Sequence, residues 1–302
     1  MTPLVSIIVT TFNRKDFLKE TLDSILKQTF TDFELLVIDN CSGYDFMGFI
    51  ESYQDSRIRA WQNPNNGVIS VNRNFGIRKA SGKFIAFCDD DDTWFPEKLE
   101  RQVSALQDED LVAVGCAMKF TGDLTYFRQW QYPQDLALDF EDILRLNVNI
   151  PLSSLLVKNK TILFDESDTV RYVEDFDYKL NLAFSTGKKI KFIKDPLICY
   201  RIHPFNENTN VQTQANSLNV LEKYAEGIPG NLYRVVKSNL YFNLGITSIR
   251  IRKAKEAGKY MKDAFSSGLP EQKMKAVTGL LLAYLPFNLS YSLMKAYFKI
   301  RK

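Results

Sequence analysis

Several features are scarce or absent in this 302-residue chain, and each absence excludes something. There are four cysteines, at 41, 88, 116 and 199, and no CxxC spacing among them. Cys88 and Cys116 lie inside apolar runs, so packed, reduced thiols are expected, in keeping with a cytoplasmic setting. No GxGxxG follows a strand-like run, which argues against a dinucleotide-dependent dehydrogenase. The segment after the first such run, "TTFNRKDF", is not the Gly-rich, Arg-containing loop of a sugar-nucleotide pyrophosphorylase. Low-complexity tracts and an internal repeat are absent as well. "MTPLVSIIVTTFNR" enters a strand pattern within four residues, without a basic leader or a small-residue cleavage site, so a signal peptide is not expected. The apolar stretch "GLLLAYLPF" (279–287) is shorter than the roughly 20 residues a membrane span needs, and Pro286 interrupts it.

What is present is ordinary in amount and unusual in arrangement. Apolar residues make up 45% and charged residues 25%, enough for a substantial core. The net charge of +3 hides an asymmetry: residues 205–302 hold 15 Lys plus Arg against 6 Asp plus Glu, and residues 1–204 hold 24 against 30. An acidic front suits a cation, and a basic tail suits an anionic surface.

Through the first two hundred residues, β-branched apolar runs alternate with helix-period segments. Strands are expected at 4–12, 33–40, 57–63 and 83–90, and helices at 14–29, 48–54, 67–80 and from Pro96 onward. This alternation predicts an α/β fold with a mostly parallel sheet flanked by helices. Beyond residue 110 the pattern loosens. Strands are expected at 111–120 and 153–159, a short helix at 139–147, a helix with a carboxylate-rich start at 173–185, and one or two closing strands at 189–203. From about 215 the pattern is helical, and segments 232–251 and 252–268 resemble a helical hairpin. The expected division is 1–204 as the catalytic domain and 205–302 as a basic, mainly helical region.

"FIAFCDDDDTW" (84–94) places four carboxylates at the end of a buried strand. Side chains alternate along a strand, so Asp89 and Asp91 should share a side, within reach of one hard cation such as Mg²⁺ or Mn²⁺ bridged to a diphosphate. The bland alternative is a solvated loop whose last acid favours the next helix N-terminus. Ligands of parallel sheets gather beyond the carboxyl ends of strands, where Asp39 and residues 89–92 both fall.

The segments "VSIIVTTFNR", "LLVIDNCS" and "NNGVISVNRNFGIRKASGKFIAFCDDDDTWFPEKLE" resemble the nucleotide-sugar half of the family 2 glycosyltransferases, which are inverting enzymes of the GT-A fold. The later "YVEDFDYKLNLA" and "CYRIH" resemble the acceptor half, in the same order. The resemblance implies a GT-A fold with a Rossmann-like nucleotide-binding half, an acceptor half and a C-terminal helical extension.

It also implies roles. Thr11 and Phe12 would hold the base of the donor, Asp39 would accept from a uracil N–H, and Asn66, Gly67 and Arg73 would approach the nucleotide. Asp89 and Asp91 would form the Asp-x-Asp pair, with Asp91 on the metal and Asp89 on the ribose or a metal-bound water. Asp90 occupies the usually small middle position on the nucleotide side, and Asp90 with Asp92 has the same spacing, so the frame stays open. His203 would complete the shell of a Mn²⁺ or Mg²⁺ ion, and Arg201 would contact phosphate. Asp175 would be the general base, with Asp177 as its rival, while Glu174, Ser153 and Ser154 would lie on the acceptor side.

The implied reaction is transfer of a sugar from a UDP-sugar, or a dTDP- or GDP-sugar, to a glycan or a polyprenyl-diphosphate-linked acceptor. The rival class is a catalytically silent relative that binds sugar nucleotide or scaffolds an assembly; such a protein would tend to lose its base or metal pair. For the tail, Lys295, Lys299, Arg301 and Lys302 with Tyr291, Tyr297 and Phe298 suit an anionic interface. Peripheral membrane contact at the inner face is therefore expected ahead of a helix packed on the catalytic domain. No nucleic-acid-binding motif appears, so no nucleic-acid partner is expected.

Overall fold

Strands β1 (Val5–Thr11) and β2 (Phe33–Asp39) are buried at every position, the mark of strands covered on both faces. The computed structural model that shows this describes residues 2–122, 131–145, 148–158, 161–202 and 211–285, together with Leu293. β1 and β2 pair in parallel from Val5 opposite Phe33 to Thr11 opposite Asp39, so both strands end at one level. β3 (Ile58–Gln62) runs parallel beyond β2, and β4 (Phe84–Asp89) runs parallel on the other flank of β1. The chain therefore winds outward from β1 to β3 and then returns across β1. That reversal opens a crevice past the carboxyl ends of β1 and β4, where open α/β sheets bind ligands.

The intervening helices cover this parallel half. α1 (Lys15–Leu26) buries Leu18, Thr21, Leu22 and Ile25, the one-face spacing of an amphipathic helix. α2 (Phe46–Glu51) is capped by Asp45, whose side chain accepts from the Gly48 N–H. α3 (Ile69–Lys79) sits tightly on the sheet because of Gly76. A Cβ there would stand 2.6 Å from a methyl of Ile8, so only glycine permits the approach. This close seat brings Arg73 down toward the strand ends.

The second half is antiparallel at its join. β5 (Thr93–Trp94), α4 (Lys98–Ala105) and β6 (Leu111–Gly122) are followed by β7 (Leu136–Leu138), α5 (Phe140–Leu144), β8 (Leu156–Val157), α6 (Glu174–Thr186) and β9 (Lys189–Ile202). β8 lies antiparallel between β4 and β6, β9 runs parallel to β6, and β5 and β7 pair antiparallel with β9. The full order is β3-β2-β1-β4-β8-β6-β9-β5, with β7 also on β9.

Two expected boundaries move. α4 starts at Lys98, two residues after Pro96. Ser153 and Ser154 lie in a 3₁₀ turn, Leu152–Ser154, and only Leu156–Val157 is strand. The closing segment, expected as one or two strands, is a single strand of 14 residues.

The chain forms two compact units, Met1–Glu166 with Glu174–Asn206, and Ser167–Val173 with Glu207–Lys302. In the second unit α7 (Val211–Lys223) is tied to the Ser167–Val173 segment: Asn216 Nδ2 donates to the carbonyls of Asp168 and Arg171. α8 (Gly230–Arg250), α9 (Ala254–Ser267) and α10 (Pro270–Tyr284) share a small core built on Ile246, Ile249, Ala257, Met261, Leu282 and Ala283. The hairpin suggested by the sequence pattern corresponds to α8 and α9, and the unit adds α7 and α10 among the described residues. The outer face of α10 exposes Met274, Val277, Leu281 and Tyr284. Among the described residues no helix is long and apolar enough to cross a membrane.

Candidate active site

The four acids fall in the turn that leaves β4, and each is held differently. Asp89 is level with Thr10 of β1, which places the acids directly over the crevice. The Thr11 hydroxyl donates to Asp90 Oδ2 at 2.7 Å, and Arg14 Nη1 reaches Asp90 at 3.2 Å and Asp91 at 3.0 Å. The buried Thr21 hydroxyl of α1 lies 3.0 Å from the Asp90 carbonyl and 2.7 Å from that of Asp92. From β9, the Arg201 N–H donates to Asp92 Oδ1 at 3.0 Å and its Nε donates to the Asp91 carbonyl at 2.9 Å. The Arg201 guanidinium also pairs with Glu20 and lies over the Phe17 ring. A backbone turn fixed from three elements cannot relax to spread its charges.

Arg73 connects this turn to the start of α6. Its side chain is only 6% exposed; Nη2 lies 3.0 Å from Asp89 and Nη1 2.9 Å from Glu174. Its guanidinium carbon lies 5.4 Å from the Phe164 ring centroid, a cation–π distance. Next to Glu174, the Asp175 side chain is 39% exposed and 3.2 Å from Lys179 Nζ. Lys179, one helical turn on, also donates to the Ile150 carbonyl at 2.6 Å. Ser153 and Ser154 are fully buried. The Ser153 hydroxyl accepts from the Asp89 N–H at 3.0 Å, and Ser154 donates to the Pro151 carbonyl.

The electrostatics follow from burial. Desolvation pushes the Asp90 carboxyl up to about 6, against Arg14 and Thr11, with Asp91 and Asp89 adding to the rise. Burial pushes Asp92 well above the carboxylate range, helped by Asp91 and Asp89. Asp89 and Glu174 are raised by burial, and Arg73 opposes the rise in both. Asp175 goes the other way. Burial raises it, but Lys179 and Arg73 outweigh that effect and hold it below its usual range.

Asp39 ends β2 fully buried, and its carboxylate accepts from the Ser42 N–H, the Ser42 hydroxyl and Gln62 Nε2. Asn66 and Gly67 are exposed in left-handed backbone, with φ of 51° and 77°. Their loop is tied back by Asn65, whose N–H donates to Asn40 Oδ1 and whose side chain accepts from the Gly67 N–H. Phe12 is 51% exposed at the end of β1.

Thr11, Arg73, residues 89–92, Ser153, Glu174, Asp175 and Arg201 are thus joined by direct contacts or by sequence adjacency. Asp39 and the Asn66–Gly67 loop adjoin each other along the neighbouring strand ends. Asp177, the rival base, is 1% exposed. His203 lies outside the described residues. Sequence reasoning missed Arg14, Thr21 and Lys179. Arg14 had a visible signal, a cation three residues past a strand end in "TTFNR"; Thr21 had a weaker one, a hydroxyl in an apolar stripe. Lys179 had none, since an i,i+4 acid–lysine pair is common on any helix.

The donor set fits a hard divalent cation. Asp89 and Asp91 offer carboxylate oxygens in a turn of four consecutive acids, faced by the guanidinium groups of Arg14 and Arg73. Among the described residues no group of three or more His, Cys, Asp or Glu is arranged to hold a metal. One or two carboxylates completed by phosphate and water is the usual manner in which Mg²⁺ is held beside a nucleotide.

Comparison with known proteins bears on this arrangement. The profile of Glycosyl transferase family 2 matches residues 6–168. TuaG of Bacillus subtilis, a glycosyltransferase assigned to teichuronic acid biosynthesis, is 33% identical over 122 residues, 40% of this chain and 46% of its own length. The matched stretch therefore spans under half of that relative. The Escherichia coli UDP-Glc:α-D-GlcNAc-diphosphoundecaprenol β-1,3-glucosyltransferase WfgD is 29% identical over 210 residues, 68% of this chain and 80% of its own. Among solved structures, Staphylococcus aureus TarS 1–349 in complex with UDP superposes with a TM-score of 0.65 at 16% identity, over 92% of this chain and 89% of that one. The mannosyltransferase PcManGT of Pyrobaculum calidifontis, in complex with GDP-Man and Mn²⁺, gives 0.60 at 18% identity, over 98% and 85%. At such identities the structural likeness speaks for the fold, which is that of the GT-A glycosyltransferases.

Proposed function

The chain belongs to glycosyl transferase family 2, and from that premise we propose that it transfers a sugar with inversion from a nucleoside-diphosphate donor to a hydroxyl of a glycan or lipid-linked acceptor. The observation that carries the reading is Arg73, which joins Asp89 on the strand-end turn to Glu174 beside Asp175. One buried guanidinium thereby couples the acids suited to a metal–diphosphate to a carboxylate suited to proton removal.

In this reading the exposed Phe12 ring and the Asn66–Gly67 loop receive the base, near Asp39. A UDP-sugar is the preferred donor, in line with the names of WfgD and the TarS complex. Asp89 and Asp91 would hold Mn²⁺ or Mg²⁺, with Asp91 on the ion; Asp92, buried and pinned by the Arg201 N–H, is better suited to shaping the turn. The bound ion would neutralise charge developing on the diphosphate. Asp175 takes the proton of the acceptor hydroxyl as that oxygen bonds to the anomeric carbon and the bond from that carbon to the diphosphate oxygen breaks. Lys179 and Arg73 keep Asp175 ionised, and hence able to accept, at neutral pH. Arg201 stiffens the acid turn from β9 and would serve the diphosphate from there.

A lipid-linked acceptor, of the kind WfgD is named for, calls for contact with a membrane. The exposed apolar stripe of α10 and the basic charge of residues 205–302 support peripheral binding to an anionic inner leaflet. Calorimetric titration with UDP, with and without Mn²⁺, followed by a nucleotide-sugar panel, tests the proposal. Joint uptake of UDP and Mn²⁺ and turnover of one donor are expected. Absence of joint uptake removes the donor-site reading, and uptake without turnover by any donor favours a silent relative.

A further inference from the structure

Beside Asp175 lies a cavity of about 260 Å³. Its walls are Leu138 of β7, Ile143 of α5, Val148 and Ile150 of the following segment, and Phe176 of α6. Leu138, Ile143 and Ile150 are buried, at 7%, 7% and 3% exposure. Its polar lining comes from Asn149, Asp175 and Lys179. Lys179 is already engaged with the Ile150 carbonyl and with Asp175. The cavity is therefore aliphatic over most of its wall and carries the base candidate in that wall.

We infer that this cavity is an acceptor subsite, and that it takes a methyl-bearing group of the acceptor sugar, an acetamido methyl or a 6-deoxy methyl, beside the hydroxyl that Asp175 deprotonates. The inference rests on the functional reading above and specifies its acceptor class. Two arguments lead to it. A hydroxyl pushed among Leu138, Ile143 and Ile150 would lose its water without gaining a partner, which is costly. A methyl group there is favoured by the same walls. The polar groups Asn149 and Asp175 are then left for the ring substituents that must stay hydrogen-bonded.

The test uses the full chain saturated with UDP and Mn²⁺, with free N-acetylglucosamine, rhamnose and glucose as probes in saturation-transfer NMR and titration. N-acetylglucosamine represents the acetamido source, rhamnose the deoxy source, and glucose the fully hydroxylated control. At least one methyl-bearing sugar should bind about tenfold more tightly than glucose, and its methyl protons should receive the strongest saturation. Val148→Trp, which narrows the cavity, should abolish that preference while leaving UDP affinity unchanged. Equal binding of all three sugars, no binding of any, or a preference that survives Val148→Trp overturns the inference. The wild-type sugar panel decides the question even if Val148→Trp does not fold. Loss of UDP binding in the wild-type chain would instead sink the donor-site reading, so the two failures are distinguishable.

Discussion

Arg73 and Glu174 are 101 positions apart in the chain, yet they form a nearly buried ion pair of 2.9 Å. The same guanidinium holds Asp89 at 3.0 Å, so one helix of the first half ties the sheet's carboxyl end to a helix of the second. Cutting a buried pair leaves an uncompensated charge. Arg73→Met should therefore destabilise the protein by roughly 3 kcal/mol in urea unfolding. A cycle with Glu174→Gln should give a coupling energy of about 1–3 kcal/mol. Arg73→Lys should recover little, because an ammonium cannot reproduce the fork that reaches two carboxylates. Additive single effects would show that the two side chains act independently.

Asp175 is held below the ordinary carboxylate range because Lys179 and Arg73 outweigh its burial. A base works only when ionised, so its low value keeps activity available on the acid side of neutrality. Removing the ammonium raises the pKa, and activity should then be lost at higher pH as the solution is acidified. Lys179→Met should shift the acidic limb of kcat upward by about one pH unit, and Lys179→Arg should restore it. Glu174, Asp89 and Arg73 also face this helix start, so the limb should be recorded in an Arg73→Lys background as well. Asp175→Asn should keep UDP binding and lower transfer by roughly 100- to 10,000-fold.

The acid turn is the proposed metal site. Chelation with EDTA should weaken UDP binding, and added Mn²⁺ should restore it. Asp91→Asn should reduce the Mn²⁺-dependent part of the affinity by roughly 10–100-fold, and Asp92→Asn by much less. The reverse ranking would assign the metal to the Asp90/Asp92 frame. Calorimetry on the three proteins distinguishes the cases.

Lys98 is fully buried, donates to Gln102 Oε1 at 2.7 Å and lies 3.7 Å from the Trp94 ring centroid. Burial pushes its pKa down to about 8. Between pH 8 and the unfolded value near 10.5 the unfolded chain holds a proton that the folded chain has released. Stability from this group therefore rises with pH across that window, by about 3 kcal/mol in all. Lys98→Met should flatten this part of the stability–pH curve relative to wild type and should be neutral or stabilising at pH 7. Urea midpoints measured from pH 7 to 10.5 check both statements.

Much of the fold could be read along the chain because its cause is local. "VSIIVTT" and "FELLVID" carry apolar residues at both odd and even positions, as a strand covered on both faces requires. α1 repeats its buried residues at helical spacing, and the acids follow β4 without a gap. The parts that escaped the sequence are those that depend on distant partners. Ser153 and Ser154 sit in strand-like sequence, yet the turn they form is held by Asp89 and Pro151. Thr21 looks like an ordinary member of an apolar stripe, and its hydroxyl is instead a brace for the acid turn.

By itself, the amino-acid order determined the strands and helices of the parallel half and the placing of four carboxylates at a strand end, since periodicity and side-chain type act over a few residues. Only the tertiary structure decided which cations meet those carboxylates. Arg14 and Arg73 are brought to their acids by crossovers and by a helix seated on Gly76, and charge interactions follow distance in space rather than distance along the chain.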